Sequence, residues 1–289
     1  MVVDNFLAEE ASRSMRDDID AHFADPAQHA PTTHQVWNYW HVPGSYTYLR
    51  TSPEKVIARD KVERFVERLR TWAAINLGLA GITWPNLSLY VPGCLQGLHN
   101  DSVNGRLGFV YSLSRDDRRT IGGETVLMHD RDLFRTLLDQ PAAGHLLYDL
   151  VEPRFNRLTL FDDRVPHAVQ RIDGSMDPVE GRLVLHGHIS EAGVVAQGAL
   201  TPAAIQESVT AGLAPIREGV APGVRGPLVY KLDIAATGEV QQLRPILDRL
   251  ASSEADNLDD LRGKIVDRLS KLSFPQQSAP TWANVPLIF

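Results

Sequence analysis

A single cysteine, Cys94, occurs in the 289 residues, so no internal disulfide can form and a reducing compartment is expected. No apolar run approaches the roughly 18 residues that a membrane-spanning helix needs. Residues 1–10 lack a basic stretch followed by an apolar one, the mark of a secretory signal, so a cytoplasmic protein without a membrane partner is expected. Basic residues are outnumbered, 29 Lys and Arg against 36 Asp and Glu. A net charge of -7 gives no general attraction to nucleic acid or an anionic membrane, which leaves a small molecule or a peptide as the expected partner.

What is present has the balance of a globular protein, with 43% hydrophobic and 22% charged residues. Phe6, Leu7, Met15, Ile19 and Phe23 recur at roughly helical spacing after Asp4, a suitable N-cap, and predict a helix over residues 5–24 that Pro26 ends. Residues 35–50 are rich in aromatics around a Pro-Gly turn and read as strands or an ordered loop. A second amphipathic helix is predicted over residues 54–77, on the stripe Val62, Phe65, Val66, Leu69 and Ala73. From Ile82 to Ile189, short apolar runs alternate with Gly, Pro and Asp turns, as in a β-sandwich or barrel. A Gly/Ala/Pro-rich stretch follows, then a strand-like segment and a charged helix over residues 258–272. The fold class is therefore α+β, with domains expected at 1–195 and 196–289.

The residues with chemical potential begin with His99 and Asp101. A His-x-Asp triplet arises by chance roughly once in a chain of this composition and alone means a polar turn. Here it follows a strand ending at Tyr90-Val91-Pro92-Gly93, and His167 lies 66 residues on, just after the strand Leu158 to Phe161. Two imidazoles and one carboxylate on one face of an iron ion leave three positions open, and side chains at i and i+2 of extended chain point the same way. Arg182 heads an otherwise apolar strand. If it points inward it needs a partner, and a carboxylate ligand matches its planar fork. His186 and His188 then point inward by alternation and are expected to pack behind the site. Gly122 and Gly123 suit a tight turn, with Glu124 structural.

Together these motifs resemble the prolyl-4-hydroxylase-like branch of the Fe(II)/2-oxoglutarate oxygenases over about residues 84–189. The resemblance rests on Tyr90-x-x-Gly93, His99-x-Asp101, the run Arg106 to Leu113, Gly122-Gly123-Glu124-Thr125, Phe161-Asp162, His167-x-Val169 and Arg182-Leu183-x-Leu185-x-Gly187. It implies a double-stranded β-helix (jelly roll) with N-terminal helices, with His99, Asp101 and His167 as the metal and catalytic residues. It also implies Arg182 and Tyr90 on 2-oxoglutarate, and hydroxylation of an amino-acid or peptidyl C–H bond by dioxygen, with ascorbate as a stimulant. Trp37, Tyr39, Trp40 and Arg106 are candidates for substrate contact. Val184 departs from the pattern, which usually has a polar residue there. Desaturation, demethylation or cyclisation of a natural product remains an alternative, as does a non-enzymatic metal-binding role. Residues 227–289 resemble the C-terminal domain of TonB-like proteins, which implies a small α/β module for docking or homodimerisation.

Overall fold

The computed structural model describes residues 1–24, 36–129, 147–252 and 258–289. Two compact units divide the chain, one of residues 1–68 and 82–188, the other of 69–81 and 189–289. The first carries helix α1 (Glu9–Ala24) and strands β1 (Val2–Val3), β2 (Asn38–Val42) and β3 (Tyr46–Thr51). Helix α2 (Arg59–Leu77) and the two-residue strand β4 (Gly81–Ile82) come next. Strands β5 (Asn86–Tyr90), β6 (Leu95–His99), β7 (Leu107–Ser112), β8 (Thr120–Ile121) and β9 (Thr125–Met128) follow. After them come β10 (Tyr148–Val151), β11 (Leu158–Asp162), β12 (His167–Val169), β13 (Asp173–Gly174) and β14 (Arg182–Ser190). Most of these strands join one antiparallel sheet, ordered β1-β11-β7-β14-β5-β3-β6-β12-β9-β10, which curls into a half-barrel of the jelly-roll kind.

The alternation read from the sequence is visible in this sheet. Phe109 and Tyr111 of β7 are buried and pack with Phe65 of α2 and Phe6, ring centroids lying 4.8–6.4 Å apart. Aromatic edge contacts of this kind add to the area each ring buries. Cys94 is buried with Tyr48, Tyr90, Val169 and Ile172 just ahead of β6, so the lone thiol is a packing residue.

Helix α1 begins at Glu9, four residues later than predicted. Asp4 is not its cap. Its carboxylate instead accepts from Arg157 Nε (2.6 Å) and Nη2 (3.0 Å), and that guanidinium holds its pKa below the usual value. Asn5 takes φ 52°, which a helix start cannot use, and β1 pairs with β11. The predicted stop at Pro26 lies outside the described residues. Helix α2 likewise starts at Arg59, with a 3-10 turn at Pro53–Lys55 before it.

In the second unit β20 (Thr281–Ile288) is flanked by β15 (Val195–Gly198) and β17 (Pro227–Ile234), and β17 pairs in turn with β18 (Val240–Asp248). The short pair β16 (Val224–Arg225) and β19 (Ala251–Ser252) stands apart. The Gly/Ala/Pro-rich stretch holds a helix that its composition conceals, α3 (Pro202–Glu218). Thr201 caps it by accepting from Ala204 N (3.3 Å), Pro202 occupies the first turn, and Ile205, Val209 and Leu213 form the buried stripe. Helix α4 (Leu258–Ser270) adds Ile265 and Leu269 to the same core.

Asn156 ties the N-terminal segment to the barrel. It is buried at φ 58°, accepts from Leu7 N (3.0 Å) and Tyr111 Oη (2.9 Å), and donates to Leu7 O (2.9 Å). Losing these three hydrogen bonds, one buried and two partly buried, costs about 2–4 kcal/mol. Asn156→Ala should therefore lower the free energy of unfolding in urea by that amount; a loss under ~0.5 kcal/mol would show that the three bonds do not hold the segment.

Candidate metal centre

Strands β6 and β12 pair antiparallel with His167 directly opposite His99. Opposed residues on such strands stand about 5 Å apart, close enough for both side chains to reach one ion. The two imidazole centroids are 4.2 Å apart. Asp101, two residues past His99, lies 3.4 Å (Oδ2) from His167 Nε2 and 3.9 Å from His99 Nε2. Its backbone N–H donates to Asp163 O (2.8 Å) and its Oδ1 accepts from Asn104 Nδ2 (3.2 Å), so the turn after β6 is fixed on both sides.

Both rings are oriented by carbonyls. His99 Nδ1 lies 2.8 Å from Gly97 O and His167 Nδ1 lies 3.0 Å from Val165 O. A carbonyl only accepts, so each Nδ1 is a donor, and each Nε2 is turned toward the other ring and toward Asp101, where His167 Nε2 is the carboxylate's hydrogen-bond partner and the atom a metal would take over. Two imidazole nitrogens and one carboxylate oxygen within 4.8 Å of one another form a mixed nitrogen and oxygen donor set. The hydrogen bond from His167, with the charges of His167, His99 and His188, holds Asp101 down to about 2. Burial depresses His99. Gln96, which sequence reasoning passed over, places its amide Nε2 3.1 Å from His99 Nε2 and takes Tyr90 Oη at 3.0 Å on its carbonyl.

Arg182 faces the same cavity, of about 280 Å³. It pairs in register with Tyr90 across β14 and β5, and its guanidinium carbon lies 4.8 Å over the Tyr90 ring. It is 2% exposed, Nη2 donates to Thr125 Oγ1 (3.1 Å), and Nε is buried without a hydrogen-bond partner. No carboxylate lies within ion-pair distance of it among the described residues. Burial pulls its pKa down and pushes that of Tyr90 up to about 12. Gly122 and Gly123 form the expected turn at φ 80° and 79°, and a Cβ on Gly123 would crowd Arg182 Cδ at 3.2 Å. Glu124 Oε2 is buried and unpaired.

His186 and His188 line the cavity with Arg182 and Val184, as alternation requires. His186 Nε2 meets Ser88 Oγ at 2.9 Å, and burial keeps its pKa well below the ordinary imidazole value. His188 Nδ1 lies 3.0 Å from Asp163 Oδ2, whose pKa burial raises. Asp101, Asp163 and His188 thus form a second, overlapping donor group.

Trp37, Tyr39, Trp40 and Arg106 do not line this cavity. Trp37 stacks on Phe23 (5.9 Å) and donates to His22 Nε2 (3.2 Å). Tyr39 stacks on His41 and is 65% exposed, Trp40 stacks on Tyr48, and the Arg106 carbonyl accepts from Asp163 N. The reason is strand order. β3 inserts beside β5 and β6 while β2, among the described residues, pairs with β3 alone, so the inward aromatics are Tyr46 and Tyr48, followed by Arg50.

No protein-family profile and no curated protein sequence matches the chain. Among solved structures, similarity extends to a prolyl hydroxylase from Trichoplax adhaerens in complex with a peptide of the hypoxia-inducible-factor oxygen degradation domain. That match has 16% identity and a TM-score of 0.44, over 64% of this chain and 80% of the other. A Pseudomonas putida prolyl-4-hydroxylase matches at 17% identity and TM-score 0.46, over 66% and 91% of the respective chains. The non-haem α-ketoglutarate-dependent epimerase SnoN from nogalamycin biosynthesis matches at 15% and 0.45, over 67% and 78%. At such scores the functional reading rests on the residues of this chain.

Because burial depresses His99, its ring should stay neutral as pH falls through about 6.5, the ordinary imidazole midpoint, and keep a lone pair for a metal. Proton NMR of the metal-free protein should give a His99 midpoint below that value. A midpoint at or above it would mean that the ring is solvated and not held as described.

Proposed function

We propose that this chain is an Fe(II)- and 2-oxoglutarate-dependent oxygenase that hydroxylates a C–H bond of an amino acid, free or within a peptide. The observation that carries the reading is Arg182, a buried guanidinium with no carboxylate within ion-pair distance among the described residues, facing the same cavity as two imidazoles and a carboxylate. A buried cation without a counter-ion is costly, and a carboxylate ligand supplies the missing charge and accepts the free Nε–H.

The donor set fits the metal. His99 and His167 provide neutral nitrogens and Asp101 the only anion, all from one side, the combination suited to non-haem iron with positions left for ligands. Bound Fe(II) with 2-oxoglutarate supplies the oxidising power, since oxidation of the keto acid to succinate and carbon dioxide takes one oxygen atom of dioxygen and the hydroxylated product takes the other. The chain's own residues do the holding. Arg182 and Thr125 bind the distal carboxylate, Tyr90 packs its ring against that guanidinium, and the Gly97 and Val165 carbonyls keep the imidazoles aimed. Gln96 must release His99 Nε2 as the metal enters.

Three outcomes follow. Succinate should form from 2-oxoglutarate only with Fe(II) present, and Asp101→Ala, which removes the anionic ligand while keeping a native circular dichroism spectrum, should abolish it. Arg182→Ala should weaken 2-oxoglutarate binding by more than about ten-fold, since a charge-assisted hydrogen bond contributes about 1.5–3 kcal/mol. Full turnover by the Asp101 variant, or unchanged affinity in the Arg182 variant, would refute the assignment.

A further inference from the structure

A second guanidinium enters the cavity. Arg50 lines it from β3, and its Nε is buried without a hydrogen-bond partner. Among the described residues nothing forms a hydrogen bond or ion pair with the Arg50 guanidinium. Its carbon sits 5.1 Å from the Trp40 ring centroid and 5.0 Å from that of Tyr48, two rings that stack within 3° of parallel. Those faces favour the cation and restrict its plane, but an aromatic face accepts no more than one N–H at a time and leaves the remaining donors of the fork open. A planar fork fixed in this way suits two parallel bonds to a carboxylate.

Register locates the fork. Arg50 pairs with Ser88 on β5, and Ser88 pairs with Val184 on β14, two residues along from Arg182. Side chains two apart share a face, so both guanidiniums belong to one wall of the site. The oxygenase reading, on which this step rests, uses up both carboxylates of 2-oxoglutarate, one at the metal and one at Arg182. Arg50 then lacks an anion. The cavity, about 280 Å³ and open to solvent on one side, is at the small end for ligand sites, so a substrate sharing it with the cosubstrate has room for only a small group beside Arg50. We infer that Arg50 anchors a carboxylate of the substrate, and that the molecule oxidised is a free acid of amino-acid size rather than an internal residue of a peptide.

Saturation-transfer NMR on the full chain loaded with Zn(II), which does not turn over, and 2-oxoglutarate tests this. The probes are the twenty free L-amino acids, their primary amides, and short peptides ending in the same residues. At least one free acid should give a signal that its amide and the peptides lack. Arg50→Gln should weaken that acid at least ten-fold with 2-oxoglutarate affinity changed less than three-fold, and Arg50→Lys, which keeps the charge without the fork, should fall between. Equal binding of acid and amide, tighter binding of a peptide, no acid binding at all, or an undiminished Arg50→Gln variant would overturn the inference. So would loss of 2-oxoglutarate from Arg50→Gln, which would make Arg50 the cosubstrate anchor. The same acid and amide pairs are run on the metal-free chain: failure of the wild type to take up 2-oxoglutarate with metal tells against the oxygenase reading, whereas failure of the acid and amide contrast tells against Arg50.

Discussion

The antiparallel pairing of β6 with β12 is the constraint on which the site depends. It sets His167 opposite His99, and the turn after β6 brings Asp101 to the same side. A slip of one residue would send one imidazole to the opposite face of the sheet and leave no pair. Much of the surrounding structure guards that register. The Asp163 carbonyl holds the Asp101 amide, the Met128 amide bonds to Pro166 O beside β12, and β9 pairs with β12 on its other edge.

Charge inside the cavity is arranged unevenly. Near the donor triad the carboxylate is compensated, and its pKa drops to about 2 because His167, His99 and His188 surround it. Farther along, Arg182 is buried with no carboxylate within ion-pair distance among the described residues, and the Arg50 guanidinium meets aromatic faces. Folded proteins rarely bury a guanidinium this way without a partner, because desolvation outweighs what a hydroxyl or a ring returns. In the proposed reading the stability given up there is recovered when anions arrive, and the two arginines serve as binding groups rather than structural ones.

How much of this is legible in the sequence depends on the range of the interaction. Local spacing carries the approximate extents of α2 and β14, the Gly122-Gly123 turn and the shared side of His99 and Asp101, since each is set by periodicity or by a backbone angle. Alternation along β14 carries the inward course of Arg182, His186 and His188. Long-range pairing is not written locally. Only strand order shows that β3 rather than β2 faces the cavity, which exchanges Trp37, Tyr39 and Trp40 for Tyr46, Tyr48 and Arg50. Asp4 looks like a cap until Arg157, 153 residues away, takes its carboxylate. Gln96 gave no signal of its own, although its place three residues before His99 on one strand could have drawn attention. Helix α3 was signalled by Thr201-Pro202 and the stripe that follows, but its alanines and Gly212 dominate the composition.

The central claim is that a metal held by His99, Asp101 and His167 and a carboxylate held by Arg182 complete one site. Calorimetric titration of 2-oxoglutarate into the full chain, with and without Fe(II) under anaerobic conditions, measures that coupling directly. One site per chain, with binding at least ten-fold tighter when Fe(II) is present, is the expected result. Equal affinity in the two titrations would mean that metal and cosubstrate do not share a site, and would contradict the account.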